Sequence, residues 1–221
     1  MAAQFALVPT AEAAFIAGLS DRQMNRVVDE HLVPEVLVGQ QGSTRLFTRL
    51  CAAFARFYFD TEDLLIAAAR RQVLEELTGR VTSSPAREAV LALAQVPAEL
   101  SWKVERCAVE IDVAPYVSTA LVRAREVDQA EALITTDAQV LGGAPVFAGT
   151  RVPIDSVLAS LDAGIELPRL QDSFPFLTQA HVGSARVYSE VHPRRGRPRR
   201  LGELNPQAVR RSARVVRAAR T

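Results

Sequence analysis

The C-terminal arginines are the side chains of this sequence whose type and spacing most clearly suggest binding chemistry. The last thirty residues, 192–221, contain ten arginines and a single acid, Glu203, so they carry a formal charge of +9. Since the whole chain of 221 residues has a net charge of +1, residues 1–191 carry −8. Guanidinium groups bind phosphates and carboxylates through paired hydrogen bonds. The asymmetry therefore predicts a polyanionic partner or an interaction arm.

This basic arm, residues 191–221, divides into two parts. Prolines and a glycine interrupt the first part and predict an extended, solvated chain. A helix is predicted after Asn205, with valines and arginines on different sides. The short motif Arg195-Gly196-Arg197-Pro198 also resembles an AT-hook, which lies in the minor groove of A·T-rich DNA. The alternative is a solvated tail without a partner. The candidate binding residues of the arm are Arg194, Arg195, Gly196, Arg197, Arg199, Arg200, Val209, Arg210, Arg214 and Val216.

A second candidate binding surface lies near the N-terminus. Thr10 and Gly18 bound a predicted short helix, and Ser20 opens another with Gln23 in capping-box spacing. Two short helices joined by a turn with glycine indicate a helix-turn-helix, and residues 36–48 follow as a predicted hairpin or wing. The second helix and the wing would present side chains that can contact bases and phosphates, or else a plain solvated face. These candidate DNA-binding residues are Arg22, Gln23, Asn25, Arg26 and Arg45.

A glycine- and proline-rich motif occupies residues 141–153. It lacks the spacing of a P-loop or of a dinucleotide-binding loop, so its glycines and prolines are expected to satisfy backbone turns. Val146-Phe147 and Arg151-Val152 are predicted to pair as a small hairpin whose apolar side forms a dimer interface. Arg151 could hold a carboxylate within the hairpin or across the interface. The motif residues are Gly142, Gly143, Pro145, Phe147, Gly149, Thr150, Arg151 and Pro153.

Catalytic and metal-binding patterns are not found in the sequence. The histidines, His31, His181 and His192, have neither a nucleophile nearby nor H-E-x-x-H spacing. Cys51 and Cys107 are far apart, without zinc-site spacing. We therefore expect no enzyme activity, no metal and no cofactor. The apolar runs are too short to span a membrane and the first nine residues are uncharged, so we expect a cytoplasmic protein with no membrane partner.

The elements that position these groups predict a mainly α protein with short β-hairpins, of the α+β class. We expect a winged helix-turn-helix in residues 1–79, a connecting α/β segment in 80–127, a three-helix domain of helix-turn-helix type in 128–190, and the arm in 191–221. Thr61 is predicted to cap a helix over 62–78, and Ser84-Pro85 to begin one that ends near residue 95. Alternating apolar residues predict a strand over 109–113.

The motif Leu141-Gly142-Gly143-Ala144-Pro145-Val146-Phe147-Ala148-Gly149-Thr150-Arg151-Val152-Pro153 resembles the signature of a prokaryotic family of unknown function that is associated with antitoxins of the VapB class. The whole chain also resembles longer members paired with PIN-domain ribonuclease toxins, and residues 5–48 are similar to the MerR helix-turn-helix. The resemblance implies a homodimer that represses its own operon and neutralises a toxin. PIN ribonucleases hold Mg²⁺ with clustered carboxylates, which an inserted arginine of the arm could pair with.

Two functions are therefore expected. The first is an antitoxin that binds operator DNA through the N-terminal unit and a PIN-domain ribonuclease through the arm. The alternative is a stand-alone transcription regulator whose basic tail binds DNA.

Overall fold

The computed structural model describes residues 7–106 and 108–193. Its helices are α1 (Thr10–Ala17), α2 (Asp21–Asp29), α3 (Arg49–Asp60), α4 (Ala67–Thr82), α5 (Arg87–Leu91), α6 (Ala114–Leu133), α7 (Ile154–Asp162), α8 (Leu167–Ser173) and α9 (Gln179–Val191). Its strands are β1 (Val8–Pro9), β2 (Val38–Gln41), β3 (Thr44–Phe47), β4 (Lys103–Arg106), β5 (Val109–Asp112), β6 (Ile134–Thr135) and β7 (Val146–Phe147). Helices with short antiparallel sheets confirm the α+β class.

The two N-terminal helices form as their end signals predict. Gly18 ends α1 in the left-handed conformation, with φ +64°, which a glycine adopts without strain. Ser20 and Gln23 form the expected capping box at the start of α2, where Ser20 Oγ accepts from the Gln23 amide and Gln23 Oε1 accepts from the Ser20 amide. The first helix begins one residue earlier than predicted, because Pro9, and not Thr10, occupies its N-cap position.

The predicted wing is a hairpin within a three-stranded sheet of order β1-β3-β2. Val38 pairs with Phe47 and Gln41 with Thr44, and β1 covers the other edge of β3. Gly42 takes the positive φ of +60° that the tight turn needs. Helix α3 follows at once, capped by Thr48, whose hydroxyl accepts from the amide of Cys51.

One hydrophobic core unites the N-terminal unit with residues 80–127. It includes Phe54 and Phe57 of α3, and it extends to Trp102 and to Val127 of α6. Phe54 meets Trp102 edge to face, with the ring centroids 6.2 Å apart. The core is thus continuous across the boundary expected at residue 79, and the two segments bury their apolar faces together.

An ion network, buried at Arg49 and Glu12 and exposed at Asp128, also joins α1, α3 and α6. The guanidinium of Arg49 lies 2.9 Å from Glu12 Oε1 and 2.7 Å from Asp128 Oδ1. Burial raises the pKa of Glu12 above its usual value, although Arg49 opposes this effect. Because Arg49 pairs with Glu12 of α1 and with Asp128 of α6, the network fixes the relative position of these two helices.

Two predicted helices have different bounds in the structure. The helix expected over 62–78 begins only at Ala67, because the hydroxyl of Thr61 donates back to the carbonyl of Phe57 and closes α3 instead of opening α4. The helix expected from Ser84 to about residue 95 is limited to α5, and Leu93 follows it at a positive φ of +50°. The strand expected over 109–113 is present as β5, paired with β4, which the sequence did not predict.

Residues from Ile134 onward build a second, smaller core. Strand β7 pairs with β6, while α7, α8 and α9 surround it through Ile154, Leu170 and Ala185. The predicted hairpin is present as one antiparallel bridge between Val146 and Pro153, with a hydrogen bond from the Phe147 amide to the Val152 carbonyl. The sequence did not predict that β6 would be the strand partner of β7. Within the described ranges, no helix is both long and apolar enough to cross a bilayer.

Candidate nucleic-acid interface

Helix α2 is strongly amphipathic, and this places its polar side chains at the surface. Met24 and Val27 are buried against the core, with 0% and 1% of their surface exposed. Arg22 and Arg26 are exposed, and Asn25 is half-buried. The face of α2 that can meet a partner therefore carries the predicted side chains.

Arg45 of the wing is brought onto α2 by four hydrogen bonds. Its Nη1 donates to the backbone carbonyl of Asn25 at 3.1 Å and to Asn25 Oδ1 at 3.2 Å. Both of its terminal nitrogens also donate to Asp29, at 3.1 and 2.6 Å. Such a bidentate arginine–carboxylate pair fixes geometry as well as charge. The wing and α2 are consequently coupled by one side chain.

Two further predicted residues have partners within α2 and its C-cap. Arg26 forms an ion pair with Glu30 at 2.7 Å, and its guanidinium lies 5.4 Å from the ring centroid of Phe59. The hydrogen bond from Arg26 holds the pKa of Glu30 below its usual value. Gln23 is engaged in the capping box. Among the five predicted DNA-binding residues, only Arg22 makes no hydrogen bond or ion pair to another described side chain.

The charges of this surface balance. Three arginines, Arg22, Arg26 and Arg45, are matched by Asp21 on α2 and by two acids that the sequence reasoning missed, Asp29 and Glu30. Glu30 could have been found from its i,i+4 spacing to Arg26. Asp29 could not, since its partner lies sixteen residues away on the wing. Contact with phosphates at this face requires these ion pairs to open.

A comparison with known proteins places the chain in a family. It is 32% identical over 203 residues to Uncharacterized protein y4eO of Sinorhizobium fredii (strain NBRC 101917 / NGR234), and the alignment covers 92% of this chain and 89% of that protein. The chain belongs to the family of this protein. Residues 134–189 also match the family model described as Protein of unknown function (DUF433). No solved structure matches the chain.

The DUF433 segment coincides with the second core and contains the glycine- and proline-rich motif. Gly142, Gly143 and Gly149 all have positive φ, which confirms their role as turn residues. Thr150 closes the turn, because its hydroxyl donates to the carbonyl of Phe147 and accepts from the amide of Val152. Pro153 occupies the N-cap position of α7.

The motif does not form the apolar dimer face that was expected. Val146 is 2% and Phe147 0% exposed, and both edges of β7 are hydrogen-bonded within the chain. Phe147 packs edge to face on Phe176 and on the ring of His181. Arg151 is exposed, and no carboxylate of residues 7–106 and 108–193 pairs with it. The apolar side chains of the motif thus pack within the protomer and stabilise the second core.

Two predictions remain, the binding residues of the basic arm and the absence of a metal site. The basic arm, with its candidate residues from Arg194 to Val216, lies outside the described residues. Within the described ranges, no three His, Cys, Asp or Glu side chains converge in a way that could hold a metal ion.

Proposed function

We propose that the protein is an antitoxin that represses its own operon and neutralises a PIN-domain ribonuclease. The observation that carries the DNA-binding part is the arrangement of α2 and the wing side by side at the surface, joined by Arg45. A helix-turn-helix places its second helix in the major groove, and an adjacent hairpin can reach the backbone. The toxin-binding part rests on the resemblance of the DUF433 segment to antitoxin-associated domains and on the charge of the arm.

DNA binding and toxin binding belong to two different parts of the chain in this proposal. The body carries the operator-binding face, whereas the arm supplies the arginines for a carboxylate-lined ribonuclease site. As a homodimer, the protein would recognise an inverted repeat with half-sites about 10 bp apart or a multiple of that.

Deletion of residues 194–221 separates the two activities. The truncated protein keeps every residue of the described helices and strands, so its fold can be checked by thermal unfolding. We expect it to bind the DNA upstream of its own gene and to lose inhibition of the PIN-domain ribonuclease encoded beside that gene. Retained inhibition with lost DNA binding contradicts the proposal, as does the absence of such a neighbouring reading frame.

The recognition face is tested by Arg22→Ala with Arg26→Ala. A matched control is Arg151→Ala with Arg169→Ala, which removes two exposed arginines from the DUF433 segment. We expect operator affinity to fall in the first double variant and to change little in the second. Equal affinities in the two variants would refute the assignment of α2 as the recognition helix.

A stand-alone regulator is the second candidate, and the charge of +9 in residues 192–221 favours it. If the arm grips DNA at about five phosphates, its deletion reduces the slope of log affinity against log salt concentration by roughly 4.5. An unchanged slope favours the antitoxin.

A further inference from the structure

A cavity of about 360 Å³ lies where the end of α1, the middle of α3 and the first half of α6 meet. Its polar lining comes from Gly18, Arg56, Asp60, Tyr116, Thr119 and Arg123. Ile16, Ala53 and Ala120 supply an apolar wall. Small-molecule sites combine an apolar lining with a few convergent polar groups, and this volume is at the lower end of their range.

Arg123 is the group in this cavity that lacks a charged partner. Its guanidinium stacks on Phe15, with 4.4 Å from the Arg123 Cζ to the ring centroid. No carboxylate of the described residues forms an ion pair with it, and its Nε is buried without a hydrogen-bond partner. Burial removes water from a guanidinium and strengthens its attraction for any anion that reaches it. Arg123 is therefore a fixed, half-buried cation with unused donors.

Arg56 brings a second positive charge to the same place. Its Nε pairs with Asp60 at 2.7 Å, and its Nη1 donates to the carbonyl of Gly18 at 2.9 Å. A Cβ at Gly18 would lie 3.3 Å from Nη1 of Arg123 and 3.6 Å from Nη1 of Arg56, so both guanidiniums reach the space above this glycine. Asp60 is the one acid among the lining residues, which leaves the cavity with a net positive charge.

We propose that this cavity binds a small organic oxyanion, a carboxylate or a phosphate ester, whose charged group lies on Arg123 beside Arg56. An oxyanion there relieves the repulsion between the two guanidiniums and accepts from Nη1 of Arg123, which reaches the space above Gly18. The apolar wall accommodates the carbon skeleton of the ligand. Because the cavity is small, the occupant is a metabolite-sized molecule and not a macromolecule. The proposal is independent of DNA or toxin binding.

The test measures binding of three probes to the full-length protein by calorimetry: inorganic phosphate, phenyl phosphate and benzoate. Arg123→Gln removes the charge and keeps most of the side-chain length. Its matched control is Arg125→Gln, an exposed arginine on the same helix that does not line the cavity. Thr119→Leu, at the exposed rim, obstructs the cavity without altering either arginine, and Ser118→Leu is its control.

We expect saturable binding of phenyl phosphate or benzoate to the parent protein, to Arg125→Gln and to Ser118→Leu. Arg123→Gln should weaken it by about ten- to a hundredfold, as loss of a charge-assisted hydrogen bond does. Thr119→Leu should weaken it without a change in the unfolding temperature larger than that of Ser118→Leu.

Three results would overturn the proposal. The first is the absence of saturable binding of all three probes to the parent protein. The second is equal affinity in Arg123→Gln and Arg125→Gln. Binding of inorganic phosphate as tight as that of phenyl phosphate would overturn the role of the apolar wall. If Arg123→Gln lowers affinity for a DNA duplex while no probe competes, the arginine contacts a DNA phosphate and the metabolite site is refuted.

Discussion

Neutralising the two acids beside the wing should strengthen DNA binding if α2 is the recognition helix. The change is Asp29→Asn with Glu30→Gln. In the structure these carboxylates hold Arg45 at 2.6 Å and Arg26 at 2.7 Å, so both arginines are kept from any phosphate. The double variant frees them and preserves the size of the side chains.

The magnitude follows from the charge count of this surface. Three arginines and three acids give the α2–wing face no net charge, and the double variant raises it by two. Each additional phosphate contact increases the slope of log affinity against log salt concentration by about 0.9, so we expect a slope steeper by roughly 1.8. Both ion pairs are largely exposed, and exposed pairs contribute little to folding stability.

Fluorescence anisotropy with the DNA upstream of the gene, over a series of salt concentrations, measures this slope. A matched control is Glu88→Gln with Glu99→Gln, which makes the same change in net charge at two exposed acids elsewhere on the body. The control should alter the slope much less, since exposed charges farther than a Debye length from DNA are screened.

Either of two results would refute the assignment of α2 as the recognition helix. If the double variant binds DNA with an unchanged slope, phosphates do not lie at this face. If the control pair shifts the slope as much as Asp29→Asn with Glu30→Gln, the effect is one of overall charge and the recognition surface is not α2.

Three predictions concern the framework. Phe147→Ala leaves a cavity in the second core, and we expect it to lower the free energy of unfolding by about 3–5 kcal/mol in chemical denaturation. The control Val122→Ala, at a side chain that is 56% exposed, should change this free energy by less than about 0.5 kcal/mol. Thr48→Ala removes the cap of α3 and should cost about 1 kcal/mol, with Thr48→Ser restoring most of it; equal losses in both would contradict the capping role. Burial raises the pKa of the Cys51 thiol and shields it from reagents. In the Cys107→Ser variant we therefore expect a thiol reagent to react with Cys51 only after denaturation. Rapid reaction of the folded protein would show that Cys51 is accessible.

Local signals in the sequence predicted where α1 ends and where α2 begins. The capping box at Ser20 and the left-handed Gly18 depend on residues within four positions of each other, so a short window contains them. Thr61 shows where a short window is insufficient. A threonine hydroxyl can bond forward or backward, and in the folded chain that of Thr61 donates back to the carbonyl of Phe57 and closes the earlier helix.

The candidate site was predicted only in its composition. The sequence indicated which side chains α2 and the wing would present, because amphipathic spacing assigns Met24 and Val27 to the core. It did not indicate that Arg45 would bond to Asp29, or that β7 would be buried against β6 instead of facing a second copy. Both depend on which distant segments become neighbours.

The sequence by itself determined the charge division of this protein, its α+β class and the turns that glycine and proline require. These properties are sums over composition or consequences of local backbone sterics, and no distant contact changes them. The tertiary structure decided how charges distant in the sequence are partnered: it joined Arg45 of the wing to Asp29, and it left Arg123 without a carboxylate above Gly18. Pairing of charges depends on distances of a few ångströms between segments far apart in the chain, and folding sets those distances.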